Sequence, residues 1–117
     1  MNPIRIATAK RALPEFSRTT NEILPYLRKW LENEDDRYQR KAEKIFIGAG
    51  VDRRFGIMDL GEVFTPTGFE AKNRQYAEAA KTLGTLALAN ALEETGWKPE
   101  SLDYIITVSC TGLLIPS

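Results

Sequence analysis

The stretch LGTLALANAL, residues 83–92, limits the folds open to this chain more than any other. Leu83, Leu86, Leu88 and Leu92, with Ala87, Ala89 and Ala91 between them, leave no polar stripe when wound into a helix. A helix of that kind is stable where protein covers it on every side. Gly84 weakens it by about 1 kcal/mol relative to alanine, and the small residues imply that another element comes close. The pattern predicts a helix from about Ala71 to Thr95, stopped by Gly96.

The run YIITVS, residues 104–109, follows the loop WKPESLD. It has little polar alternation, and a strand apolar on both faces is a central strand with layers above and below it. The helix and the strand both need partners on every side, and the remaining residues supply too few. The expected fold class is therefore α/β or mixed α+β, with residues 1–117 as the front part of a larger layered domain. The length allows one small domain at most. There is no repeat and no low-complexity segment.

Earlier in the chain, PIRIATAKR reads as a first strand carrying Ile4 and Ile6, and ALPEFSRTT as a connecting loop. Thr19 or Thr20 caps a helix through NEILPYLRKWLE, with Glu22 placed as in a capping box. Pro25 falls near its first turn, and Ile23, Leu24, Leu27, Trp30 and Leu31 make its apolar face. A second helix spans NEDDRYQRKAEKIFIGAG, with Asn33 as candidate cap, Glu34, Asp35 and Asp36 in its first turn, and Gly48 and Gly50 as its stop. VDRRFGIMDLGEVF reads as a short strand and turn, and TPTGFEAKN as a loop.

Bulk composition bounds the chemistry. Sixteen basic and sixteen acidic residues cancel, so global charge gives no push toward nucleic acid or an anionic membrane. No apolar run approaches a membrane span, and the N-terminus lacks a signal-peptide pattern. One cysteine leaves no internal disulfide and no cysteine-rich metal site, which fits a reducing, cytoplasmic setting. The chain contains no histidine. A Cys-His or Ser-His pair cannot be completed from these residues, nor can a histidine-ligated zinc site.

Three groups of residues are candidates for a site. Arg37, Arg40, Lys41 and Lys44 recur at spacings of three and four, opposite a face of Tyr38, Ala42, Ile45 and Phe46, and Arg53 and Arg54 follow. Such a stripe beside an arginine pair suits phosphates; the other reading is a solvated face with ion pairs to Glu34 and Asp36. FIGAGVDRRF lacks the third glycine of a dinucleotide fingerprint and follows a helix rather than opening one, so its glycines read as a helix stop. Arg54 and Phe55 are placed to anchor the turn after it. Ser109, Cys110 and Thr111 stand where the last strand ends. A lone cysteine there is either a small buried hydrophobe or a pocket-lining thiol, and without a histidine it lacks a base to activate it.

From about Trp30 onward, RYQRKAEKIFIGAGVDRRFGIMDL and SLDYIITVSCTGLLIPS resemble the bacterial branch of the type III polyketide synthases, the chalcone and stilbene synthase family. The starter-type ketoacyl synthases share an element like GVDRRF and are the alternative within the same fold. The resemblance implies the N-terminal part of a thiolase-like layered αβαβα fold, incomplete in this chain and short of the nucleophile. It implies decarboxylative condensation of malonyl-CoA onto an acyl-CoA starter by a Cys-His-Asn set that lies outside these residues. It assigns Lys41 and Lys44 to coenzyme A phosphates, with Arg53 and Arg54 in the same basic group, and Gly48 stands where plant members carry a further basic residue. Ser109, Cys110 and Thr111 fall on the acyl-cavity wall, and Ile115 and Pro116 on the loop that reaches into the partner subunit of a homodimer. The resemblance implies coenzyme A thioesters as substrates, with no resident cofactor or metal, and the remainder of the synthase as partner. The expectation is that the chain is a truncated segment, inactive alone; a non-enzymatic binding fragment of the same fold is the other possibility.

Overall fold

The computed structural model describes residues 3–112. The chain divides into two compact units, one formed by Pro14–Pro66 and the other by Met1–Leu13 with Thr67–Ser117.

In Pro14–Pro66 a two-stranded antiparallel ribbon pairs β1 (Phe16–Thr19) with β2 (Arg53–Gly56), in a register that sets Phe16 opposite Gly56 and Arg18 opposite Arg54. The strand at Phe16–Thr19 lies in a stretch expected to be loop. Helix α1 (Thr20–Trp30) follows β1 without a break. Thr19 is its N-cap: the Glu22 amide donates to the Thr19 hydroxyl, and the Glu22 carboxylate accepts from the Thr19 amide at 2.7 Å. This capping box satisfies two donors that the helix start would otherwise leave bare. Pro25 lies in the second turn rather than the first and removes one intrahelical bond, on the exposed side where water reaches the freed carbonyl of Asn21.

The buried side chains among the described residues are Ile23, Leu24 and Leu31, the last only 5% exposed. All three sit on or just after α1, which packs against α2 (Asp36–Gly48), β1 and the short helix α3 (Leu60–Val63). The α2 cap is Asp35, whose carboxylate accepts from the Tyr38 amide at 3.0 Å, in place of the expected Asn33. Gly48 is the last residue of α2, and Gly50, at φ 65°, makes the turn out of it. Helix α3 was not expected; Asp59 and Glu62 cap it reciprocally within a stretch that reads as turn. Phe64 at its end stacks with Tyr26 and tilts toward Trp30.

The other unit is built on α4 (Phe69–Thr95), 27 residues long and ended by Gly96 in the left-handed conformation at φ 67°. It starts two residues before the expected Ala71. Its half-buried positions, among them Tyr76, Ala80, Leu83, Ala87 and Ala91, recur on one face, while Leu86 is 49% exposed on the other. Full burial was expected, and no residue of α4 is buried among the described residues. A 3₁₀ turn at Pro99–Ser101 reverses the chain. The return path is fixed at its far end, where a Cβ on Gly112 would overlap the Tyr76 ring, with Asn73 beside it. The helix rises about 30 Å between Tyr76 and Gly96 at about 1.5 Å per residue, and ten extended residues reach about 33 Å. Residues 102–112 therefore run back toward Tyr76, with a bend at Cys110 and Thr111.

Among the described residues that segment does not form the expected strand, and its Ile106 is 88% and Val108 92% exposed. Residues 3–11 differ from expectation in the same way. Ile4 and Ile6 are exposed and unpaired, and the segment is tied down where the Thr8 hydroxyl donates to Glu94 at 2.9 Å and the Lys10 ammonium bridges the same carboxylate. The architecture is mixed helix and sheet, compatible with an α/β class.

Candidate functional site

Helix α2 presents its cations to water. Its inward face is Gln39, Ala42, Glu43 and Phe46, all half-buried. Tyr38 and Ile45, expected on that face, are instead exposed, because the inward direction is centred a quarter-turn further round, where α1 lies. Arg37, Lys41 and Lys44 line the opposite side, one turn apart, and make no ion pair among the described residues. Arg40 sits beside them at 4.0 Å from Asp36, the limit of an ion pair. The expected pair with Asp36 is thus present but weak, and three cations of the row stay uncommitted.

The arginines after the helix behave differently. Arg54 is half-buried, with its guanidinium stacked 4.0 Å from the centre of the Phe46 ring. It donates to the Thr20 hydroxyl at 2.8 Å and to the Val51 carbonyl at 3.0 Å. Thr20 in turn donates to the same carbonyl at 2.5 Å, and its amide donates to the Asp52 carbonyl at 3.0 Å. Arg54 thus ties the end of α2 to the start of α1 on the inward side, away from Lys41 and Lys44. This is the anchoring arrangement that the sequence offered as its other role. Arg53 is exposed and donates to the Ser17 hydroxyl at 2.7 Å across the ribbon.

One ion pair was invisible in the sequence. Arg28 on α1 grips Glu43 on α2 through both carboxylate oxygens, with its Nε donating at 3.0 Å. Hydrogen bonding from Arg28, helped by its charge, holds the Glu43 carboxyl below the usual range, and the same pairing raises Arg28. Glu22 is also held low, chiefly by the hydrogen bonds from the Thr19 amide and hydroxyl. Fifteen residues separate Arg28 from Glu43, so no local pattern announces the pair. Two shallow depressions flank it. One lies between α1 and α2, against Leu27, Arg28, Leu31 and Gln39. The other lies on α2 itself, rimmed by Arg40, Glu43, Lys44 and Ile47, with Gly48 at its end.

In the other unit Ser109, Cys110 and Thr111 are exposed and form a bend in which the Thr111 amide donates to the Ser109 hydroxyl at 3.2 Å. The Cys110 thiol is free and open to solvent. Ile115 and Pro116 lie outside the described residues. Among the described residues no cluster of acidic and sulfur ligands could hold a metal ion, and no helix is long and apolar enough to cross a membrane.

Comparison with known proteins gives three relatives. The chain is 31% identical over 74 residues to the 1,3,6,8-tetrahydroxynaphthalene synthase of Streptomyces griseus, a match covering 63% of this chain and 20% of that protein. It is 28% identical over 106 residues to the 1,3,6,8-tetrahydroxynaphthalene synthase of Streptomyces coelicolor, covering 91% of this chain and 28% of that one. It is 26% identical over 76 residues to the phloroglucinol synthase of Pseudomonas fluorescens, covering 65% and 22%. The chain thus spans about a quarter of the length of the curated relatives it matches. No family model and no solved structure matches it.

Proposed function

Because this chain is related to a segment of the bacterial type III polyketide synthases, we propose that it forms the coenzyme-binding, N-terminal part of such a synthase. The whole enzyme would have a thiolase-like fold and condense malonyl-CoA onto an acyl-CoA starter. In this reading Lys41 and Lys44 hold the phosphates of coenzyme A. The observation that carries it is the row of uncommitted cations: both lysines are exposed, one turn apart, on the solvent side of a helix whose inward side is already held by Arg28 and Arg54. A solvated face with satisfied ion pairs would have shown partners for them. Arg53, exposed at the ribbon edge, joins the same positive field. Arg54 serves that site indirectly, by fixing the end of α2.

The condensation itself belongs to a Cys-His-Asn set outside these residues. In it a cysteine thiolate takes the starter acyl group from coenzyme A, and decarboxylation of malonyl-CoA supplies the carbanion equivalent that attacks the thioester. Ser109, Cys110 and Thr111 are assigned to the wall of the acyl cavity, with Cys110 as a lining thiol and not the nucleophile. Ile115 and Pro116 are assigned to a loop that crosses into a second subunit. Exposed Ile106 and Val108 and the exposed side of α4 agree with a segment that other parts of a synthase cover.

Replacing both Lys41 and Lys44 by alanine in the complete enzyme should raise the Michaelis constant for acyl-CoA, most at low salt, where exposed charges are least screened. An unchanged constant at low salt would make the row a solvated face and remove the reading.

A further inference from the structure

Helix α1 carries two exposed rings one turn apart, Tyr26 at 42% and Trp30 at 60% exposure. Phe64, half-buried at the end of α3, packs against both. Its ring is stacked with Tyr26 at 6.0 Å between centres and tilted toward Trp30 at 6.2 Å. Singly exposed aromatic residues are ordinary, but three in contact make a continuous patch. Val63, exposed beside Phe64, extends it. The patch lies on α1 and α3, and the reading of Lys41 and Lys44 on α2 makes no use of it.

The rings have a definite electrostatic sense. The face of an aromatic ring is its negative side and attracts a cation. The unit Pro14–Pro66 already fills two such faces from within. The Arg54 guanidinium lies 4.0 Å from the centre of the Phe46 ring, and that of Arg18 lies 5.3 Å from Phe16. Among the described residues no cation lies over Tyr26, Trp30 or Phe64. The flanking charges are mostly negative. Glu22 precedes Tyr26 by one turn on the same side of α1, and Asp59 and Glu62 cap the short helix that ends at Phe64. Their capping hydrogen bonds come from amides and a hydroxyl, which cancel no charge. Lys29 is the base on the other side of that balance, since Arg28 is turned to Glu43.

We propose that the Tyr26–Phe64–Trp30 patch docks a basic segment of another protein chain, with an arginine side chain laid across the Trp30 face. A planar, weakly hydrated guanidinium stacks flat on a ring and keeps its N–H edge free for carboxylates at the rim. A purely apolar partner is disfavoured, because it would strip water from Glu22, Asp59 and Glu62 without pairing them.

The test is titration of the full chain with a short peptide of alternating glycine and arginine, and with the same peptide carrying citrulline, a neutral isostere, in place of arginine. Backbone amide NMR shifts read the binding. The arginine peptide should bind about fivefold more tightly than the citrulline one, with the shifts centred on residues 22–30 and 62–65. This comparison needs no variant. Trp30→Leu keeps apolar surface and loses the ring, at a position exposed enough to leave the fold intact. It should weaken the arginine peptide about fivefold, and Glu62→Gln should weaken it most at low salt. Equal binding of the two peptides, unchanged binding by Trp30→Leu, or no binding by the unaltered chain would overturn the proposal. A concentration-dependent dimer that Trp30→Leu abolishes would overturn it too, by assigning the patch to a second copy of this chain.

Discussion

Residues 14–66 and residues 67–112 use similar amounts of helix to different effect. The first stretch buries Ile23, Leu24 and Leu31 with short elements that find each other: a ribbon four residues wide in each strand, two capped helices, and ties from Arg28 and Arg54. The second has the longest helix and the most apolar strand sequence, yet buries no side chain fully among the described residues. Local chemistry suffices for a helix: caps, spacing and a glycine stop act within a turn or two. Burial and strand pairing need surfaces contributed from a distance, and α4 and residues 102–109 carry apolar surface on more sides than their own unit covers.

The comparison breaks most completely if the 117-residue chain works alone. It should give no detectable pyrone or resorcinol product from malonyl-CoA and an acyl-CoA starter, since it has no histidine and therefore no complete Cys-His-Asn set. Product formation by the purified chain would show that the exposed surfaces are not waiting for other parts of an enzyme.

Core truncations should separate the two regions next. Leu31→Ala removes a side chain 5% exposed and should cost about 2–4 kcal/mol. Leu88→Ala removes one 39% exposed and should change stability within about 0.5 kcal/mol in the same chain. Denaturant unfolding of both variants reads this directly. Equal losses would mean that α4 is packed as tightly as α1.

Acid should act mainly on residues 14–66, and only modestly, because the groups concerned are exposed. Glu22 and Glu43 have folded pKa values below the ordinary carboxylate value of 4.5. A depressed folded pKa gives stability that is present above the unfolded value and is lost as pH falls through the folded one. The helix signal of α1 and α2 should thus weaken below about pH 4.5, and Glu43→Gln should flatten that dependence. A dependence unaltered by both Glu43→Gln and Glu22→Gln would remove these two carboxylates as its source.

The same division governs what the sequence could tell. The Thr19–Glu22 capping box, the glycine stop at Gly96 and the cation row on α2 are local patterns and were legible from spacing. The Phe16–Thr19 strand was not, because FSRT shows no alternation and its strand character comes from pairing with Arg53–Gly56, far along the chain. The inward face of α2 was misplaced by a quarter-turn because Tyr38 and Ile45 look apolar in isolation, whereas α1 meets Glu43 through Arg28. Arg54 was offered in the sequence both as a turn anchor and as a member of the basic group, and its contacts with Phe46 and Thr20 are seen only in the structure. For residues 104–109 the pattern was that of a central strand covered on both faces, and among the described residues Ile106 and Val108 are instead exposed.

Amide hydrogen exchange on the purified chain tests the central claim, that residues 67–112 carry apolar helix and extended surfaces which their own unit leaves uncovered. The account predicts slow exchange in α1 and at the paired amides of β1 and β2, and fast exchange at Tyr104, Ile105, Ile106 and Val108, whose side chains are exposed. Protection at these four residues equal to that in α1 would contradict it, for the chain would then cover this segment by itself.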